Sequence, residues 1–335
     1  MIWATWRQFR TQAIVAGATL AAAVIALTIN GLNLSHLYAG SGASSCPATG
    51  PCAELDAFLN EAQSGSTSLL FVLGAALLYL VPPLIGVFWG APLVARELET
   101  GTHRLAWNQS VTRDRWLAMK LAVLGAASMT FAALLSLTVW LSSSHLDQAA
   151  QNRLPPLLFG ARGIVPIGYA AFAFVLGVAF GILIRRTVPA MASTLAVYAG
   201  AVGAMVLWGR ARLLPTRHVT QALNFDNLES FSIHNSQQIR LTIDPKLPGA
   251  WVLKNQTVTS SGQLYDGPVN QQACNRDVGP KACTDWLQTL NLKQSLVYHS
   301  PGQFWGLQLA ETGVFLVLAG LLAGFGFWWL RRRSA

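Results

Sequence analysis

The sequence predicts an all-α polytopic membrane protein, with six transmembrane helices and a small β-containing domain between the fifth and sixth. Three observations lead there. Apolar residues make up 53% of the 335 and charged residues only 11%, less than half the charged share of about 25% in soluble domains. The apolar residues are gathered into six runs, Gln12–Ser35, Ser68–Ala95, Leu121–Ser144, Gly163–Ile184, Val188–Gly209 and Thr312–Leu330, each close to the ~20 residues that cross a hydrocarbon core. None of the six contains Arg or Lys, as expected where either costs about 2.5–3.5 kcal/mol at mid-membrane and a Leu or Val gains about 0.3–0.6. A single run could be a buried helix of a soluble protein. Six in one chain exclude that reading. The first is also too long for a signal-peptide core and has no small-x-small cleavage site close behind it.

The segment before the first span, residues 1–11, places Ile2, Trp6 and Phe9 on one helical face, with Arg7, Gln8 and Arg10 off it. Tryptophan favours the headgroup level. The segment therefore reads as a short cytoplasmic interfacial helix whose Trp3, Trp6, Arg7 and Arg10 meet membrane lipid, or as the first turns and anchor of the first span. The first five spans occupy residues 12–209. In the second, Pro82 and Pro83, followed by Pro92, remove backbone donors and predict a kink. Residues 210–303 carry β-prone stretches such as Ile239–Ile243 and Trp251–Leu253, punctuated by Pro248-Gly249, Gly262 and Gly279-Pro280, and read as an extracytoplasmic domain. Residues 304–335 form the sixth span and a basic tail.

Charge sets the orientation. Counted near helix ends, twelve Arg and Lys fall on the side of both termini and two, Arg153 and Arg162, on the short loops opposite. By the positive-inside rule both termini are cytoplasmic; Arg outnumbers Lys 18 to 5, a skew that looks like a GC-rich bacterial genome, so a bacterial inner membrane is expected. Cys46, Cys52, Cys274 and Cys283 then all lie on the oxidising side, where disulfides persist. Four cysteines allow three connectivities; proximity in sequence favours Cys46–Cys52 with Cys274–Cys283. Zinc is disfavoured because C-x5-C and C-x8-C are not ribbon spacings. The formal charge of +9 does not form an aromatic-interleaved basic stripe, so no nucleic-acid partner is expected.

Catalytic motifs are missing. There is no G-x-x-x-x-G-K-[ST] loop, no H-E-x-x-H and no G-x-S-x-G elbow, so the chain reads as no enzyme, with no cofactor or metal of its own. No charged pair is expected deep in the spans, and any energy source must come from elsewhere. Glu311 stands one residue before the sixth run. It reads either as a polar residue at the interface or as an interior group lining a translocation path.

The informative stretch, residues 96–120, follows the second span: Arg96-Glu97-Leu98-Glu99-Thr100-Gly101-Thr102-His103-Arg104, then Thr112-Arg113, Arg115 and Lys120. Gly101 is a natural helix terminator. Glu97 and Glu99 just before it oppose the helix dipole at about 0.3–1 kcal/mol each, so cations are expected to offset them, either Arg104, Arg113 and Arg115 or a partner's. Thr112 or Ser110 is placed to cap a following helix.

This pattern resembles the ABC-2 family of ABC transporter permeases, in which acidic-x-acidic-x-Gly-Thr follows the second helix and Ser/Thr-Arg and a Lys precede the third. The run Tyr298–Arg333, with Phe304-Trp305, Gln308, Glu311 and Trp328-Trp329, looks like the family's actinobacterial members. The outer segment is longer than the family's usual short hairpin. The resemblance implies the membrane subunit of a bacterial ABC exporter, a homodimer driven by two copies of a separate ATP-binding subunit that holds ATP and Mg. In that family the helix 2–3 loop and the N-terminal surface helix rest on the ATPase. The rival readings are a non-transporting membrane sensor or assembly protein with a ligand-binding outer domain, and a membrane enzyme, which the missing motifs disfavour.

The topology is testable through the cysteines. After mild reduction of intact cells, a membrane-impermeant thiol reagent should modify all four. Labelling that requires opening the inner face would reverse the assigned orientation.

Overall fold

Backbone N–H and C=O groups in hydrocarbon find no water, so each apolar run must satisfy its hydrogen bonds internally, and a helix does this segment by segment. The computed structural model describes residues 2–46, 52–62, 65–101, 112–150, 154, 156–224, 228–234, 238–245, 247–274 and 280–333. Among them, six helices are long and apolar enough to cross a membrane. The chain divides into two compact units, one of Met1–Leu213 with Trp305–Ala335, the other of Leu214–Phe304.

The first unit begins with α1, Ile2–Gly40, 39 residues without a break and about 58 Å long at 1.5 Å per residue. The backbone of residues 2–11 is thus continuous with the first span, whose apolar part runs Ala13–Gly40. Arg10 is exposed; the side chains of Trp3, Trp6 and Arg7 lie outside the described part. A 3₁₀ turn at Ala43–Ser45 and α2, Ala53–Ala62, follow. Cys46 and Cys52 are joined between them. The amphipathic α2 buries Phe58 and Ala62 against Leu34 and Ala149, so the first loop is a packed structure rather than a plain link.

The second span is α3, Gly65–Ile85, a π turn at Gly86–Gly90, and α4, Ala91–Glu99. Pro82 and Pro83 lie in the last turn of α3, where they remove two helical donors, and the π turn follows directly. The third span, α5, runs Arg113–Ser142 and is capped by Thr112, whose hydroxyl accepts from the Arg115 N–H. Short helices α6, Ser144–Ala150, and α7, Pro156–Phe159, lead to the fourth span, α8, Val165–Ile184. The fifth span is α9, Thr187–Ala204, continued by a π turn at Met205–Gly209 and a 3₁₀ turn at Arg210–Arg212.

Helix α8 is the hub. The most apolar stretch of α8 is 72% buried, more than that of any other span, and its neighbours are α3, α4, α5 and α9. Small residues allow the approach. A Cβ at Gly86 would stand 2.6 Å from the Ala173 carbonyl oxygen, and one at Gly181 would stand 2.8 Å from that of Ala91. Around this contact Val94, Trp116, Leu117, Phe174, Val178 and Ile182 form a buried cluster.

The second unit contains β1, Arg217–Ala222; β2, Leu228–His234; β3, Gln238–Ile243; β4, Trp251–Val258; α10, Pro280–Thr289; and β5, Lys293–His299. Its sheet has the order β1-β5-β4, all antiparallel, and β2 pairs with β3 as a hairpin. The β-prone stretches at 239–243 and 251–253 fall in β3 and β4. Cys274 is bonded to Cys283, which packs with Leu287 and Leu292 in the unit's core. The sixth span, α11, Phe304–Arg333, returns to the first unit.

Gly86→Ala should destabilise the protein by about 1–3 kcal/mol, the usual cost of forcing volume into a packed contact. Gly320→Ala, whose Cβ would meet nothing within 4 Å, should be neutral or stabilising by up to about 1 kcal/mol. Unfolding in detergent measures both.

Candidate functional site

Two clusters of charge sit at opposite ends of the spans. The first lies where α4 ends. Gly101 takes φ +74°, a left-handed conformation that stops a helix without a Cβ penalty. The two glutamates before it are matched within the chain, against the expectation that loop arginines or a partner must offset them. Glu97 pairs with Lys120 of α5 at 2.6 Å. The Lys120 ammonium also donates to the Leu93 carbonyl at 3.2 Å and lies 4.4 Å from the centre of the Trp116 ring. Glu99 accepts from the Thr187 backbone N–H at 3.1 Å and from its hydroxyl at 2.7 Å, so it caps the N-terminus of α9, where the dipole favours an anion. The penalty each carboxylate incurs at the end of α4 is offset on a neighbouring helix. One corner thereby joins three spans.

Lys120, read from sequence as a loop cation, is instead buried in the third span. Of the other predicted loop residues, Arg96 and Arg115 are exposed and Arg113 is half-buried. Asp114 pairs with Arg331 of α11 at 2.9 Å on an open rim, where such pairs contribute about 0–1 kcal/mol. Thr102 and Arg104 lie outside the described residues.

The second cluster lies at the other end of α9 and α11. The Arg210 guanidinium makes a bidentate pair with Glu311, Nε to Oε2 at 2.7 Å and Nη2 to Oε1 at 2.9 Å. Both side chains are fully buried. The Tyr169 hydroxyl donates to Glu311 and accepts from Arg210 Nη2 at 3.4 Å. The Phe159 ring lies 4.6 Å from the guanidinium carbon. A turn earlier on α11, Gln308 receives the N–H groups of Ile164 and Val165 and donates to the Phe159 carbonyl, so it caps α8. Nearby, Asp147 and Arg162 form another buried ion pair.

Two of these pairs, Glu97–Lys120 and Arg210–Glu311, lie near the ends of spans that are longer than the uncharged runs. The fifth span extends to Arg212, past the Gly209 boundary drawn where hydropathy falls. Arg210 and Lys120 both lie inside spans because each meets a carboxylate there. The available signal was the position of Arg210 and Glu311, opposite charges each one residue outside an apolar run. Glu311 faces the bundle interior rather than the interface. Pro82 and Pro83 belong to neither cluster.

The family model described as ABC-2 membrane transporter related matches residues 17–210, more than half of the chain. The chain belongs to that family. It is therefore a membrane permease subunit of multi-pass architecture. No curated protein and no solved structure matches it. The matched region of this ABC-2 permease includes Glu97, Glu99 and Lys120 and ends on Arg210; the second unit and Glu311 lie beyond it.

Removing one partner of a buried ion pair leaves the other charge uncompensated, at about 3–5 kcal/mol, whereas replacing both with apolar groups is far less costly. Glu311→Leu should therefore destabilise the permease more than Glu311→Leu combined with Arg210→Met. Denaturation of the purified variants reads the order directly.

Proposed function

We propose that this permease is the membrane subunit of a bacterial ABC exporter, a homodimer driven by two copies of a separate ATP-binding subunit that holds ATP and Mg. Membership of the ABC-2 family implies the ATP-binding partner. The observation that carries the mechanism is the corner at the end of α4. Its two carboxylates fasten α4 to α5 through Lys120 and to the start of α9 through Thr187.

A corner held on three helices behaves as a rigid body. When an ATPase dimer closes on its nucleotides, force applied to the loop after Gly101 passes into α5 and α9 together and, through the close contact with α8, into the centre of the bundle. The glutamates then act within the chain, as struts behind the docking surface, while exposed Arg96 and Arg115 are available to the partner. In this reading the corner, both termini and the α8–α9 link face the cytoplasm, which the excess of Arg and Lys on that side supports. Arg185 and Arg186 are exposed at that link. The first disulfide then lies on the outer side. Glu311, buried among Arg210 and Tyr169, lines or gates the path at the outer end.

The purified chain alone should hydrolyse no ATP and should co-purify with a separate ATP-binding subunit. Glu97→Ala with Glu99→Ala should leave membrane insertion intact and reduce transport-linked hydrolysis at least tenfold, with partner binding weakened or retained. Wild-type transport by the double variant would remove the coupling role. If no ATP-binding partner co-purifies, the reading as a membrane sensor takes precedence.

A further inference from the structure

The fifth span ends in a changed register. In the π turn Met205–Gly209, the Arg210 N–H reaches back to the Met205 carbonyl, and only the 3₁₀ turn Arg210–Arg212 lies beyond it. A π turn accommodates one residue more than an α turn, so it rotates whatever follows by about 100° relative to an unbroken α-helix. In this register Arg210 is turned inward onto Glu311. Leu207 and Trp208, within the π turn, are 69% and 62% exposed while Met205 is buried, so the bulge packs against the unit on one face and is open on the other. What anchors its far end is the set of bonds made by Arg210. Because a single turn follows, passing the extra residue out through the helix end rotates that turn and leaves the span unmoved.

We propose that Arg210 is a positioning residue for Glu311, and that the π turn is the register switch that engages and releases it. In the π register the guanidinium neutralises and orients the carboxylate. In the α register Arg210 swings away and Glu311, still beside Tyr169, presents its charge to the bundle interior. The two residues also lie on the chain segments that lead into and out of the second unit, Arg210 just before Leu214 and Glu311 two turns after Phe304. Engagement ties those segments together, and release frees them. The proposal rests on the reading of the chain as a transporter and of Glu311 as a path residue.

Hydrogen–deuterium exchange on the full-length protein in lipid nanodiscs tests the switch without requiring transport. Amides of residues 205–212 in the wild type should exchange at least tenfold faster than those of 194–204, and Glu311→Gln should raise their rate several-fold further. Deleting Leu207 removes the extra residue and leaves Arg210 in the paired register, so those amides should slow to match the rest of α9. Equal rates along 194–212 in the wild type, or no response to Glu311→Gln, overturn the proposal even if the deletion variant does not fold. With the ATP-binding subunit present, the deletion variant should retain its place in the membrane and lose export at least tenfold. Slow exchange with export at the wild-type level also overturns it. If the wild type itself moves no substrate while the exchange pattern holds, the exporter reading fails and the register switch stands.

Discussion

An ionised side chain taken out of water keeps its place only against a counter-charge, and in this permease that constraint decides which helices are neighbours. Among the described residues, Glu97–Lys120 ties the second span to the third, Arg210–Glu311 ties the fifth to the sixth, and Asp147–Arg162 ties the loop after the third to the start of the fourth. Apolar packing alone would orient the helices weakly, because lipid tails are as apolar as leucine and little is gained by exchanging one for the other. A misplaced ion pair, by contrast, costs several kcal/mol. The few polar contacts therefore select one arrangement from many of similar apolar burial.

The same logic explains the glycines where α8 meets the second span. Where no hydrophobic driving force separates one interface from another, close backbone approach and dispersion decide, and small residues make that approach possible. Gly86 and Gly181 bring the second and fourth spans together at the level where the proline-bearing helix changes register. Rigidity at the α4 corner and mobility at the end of α9 then have separate physical origins. The first comes from carboxylates satisfied on neighbouring helices, the second from a π turn packed on one face and open on the other.

The spans, the family and both disulfides were legible in the sequence because each rests on a local or strongly periodic signal. Long uncharged runs, an acidic pair before Gly101 and cysteines close in sequence need no knowledge of the fold. The charged pairs were not legible. Glu99 meets Thr187, and Arg210 meets Glu311, across most of a domain's length of chain, and a hydropathy window ends the fifth run before Arg210 for the very reason that makes the residue informative. Lys120 was assigned to a loop because the window sees its charge but not Glu97 beside it. For residues 1–11 the sequence left two readings open, because an amphipathic surface helix and the first turns of a span share the same residue pattern.

In the second unit, β1 and β5 pair directly, Arg217 opposite Tyr298, and the Gln303 side chain donates to the Pro215 carbonyl at 2.9 Å. Entry and exit of the unit are thus adjacent strands of one sheet, about 5 Å apart. A fold whose ends meet can be spliced into a host at a single point. The whole of residues 216–299 could be exchanged for a tight hairpin, or for an unrelated module with paired ends, without prising the fifth and sixth spans apart. In genetic terms this piece has the geometry of a cassette, an insert whose two ends meet at one point of the chain that carries it.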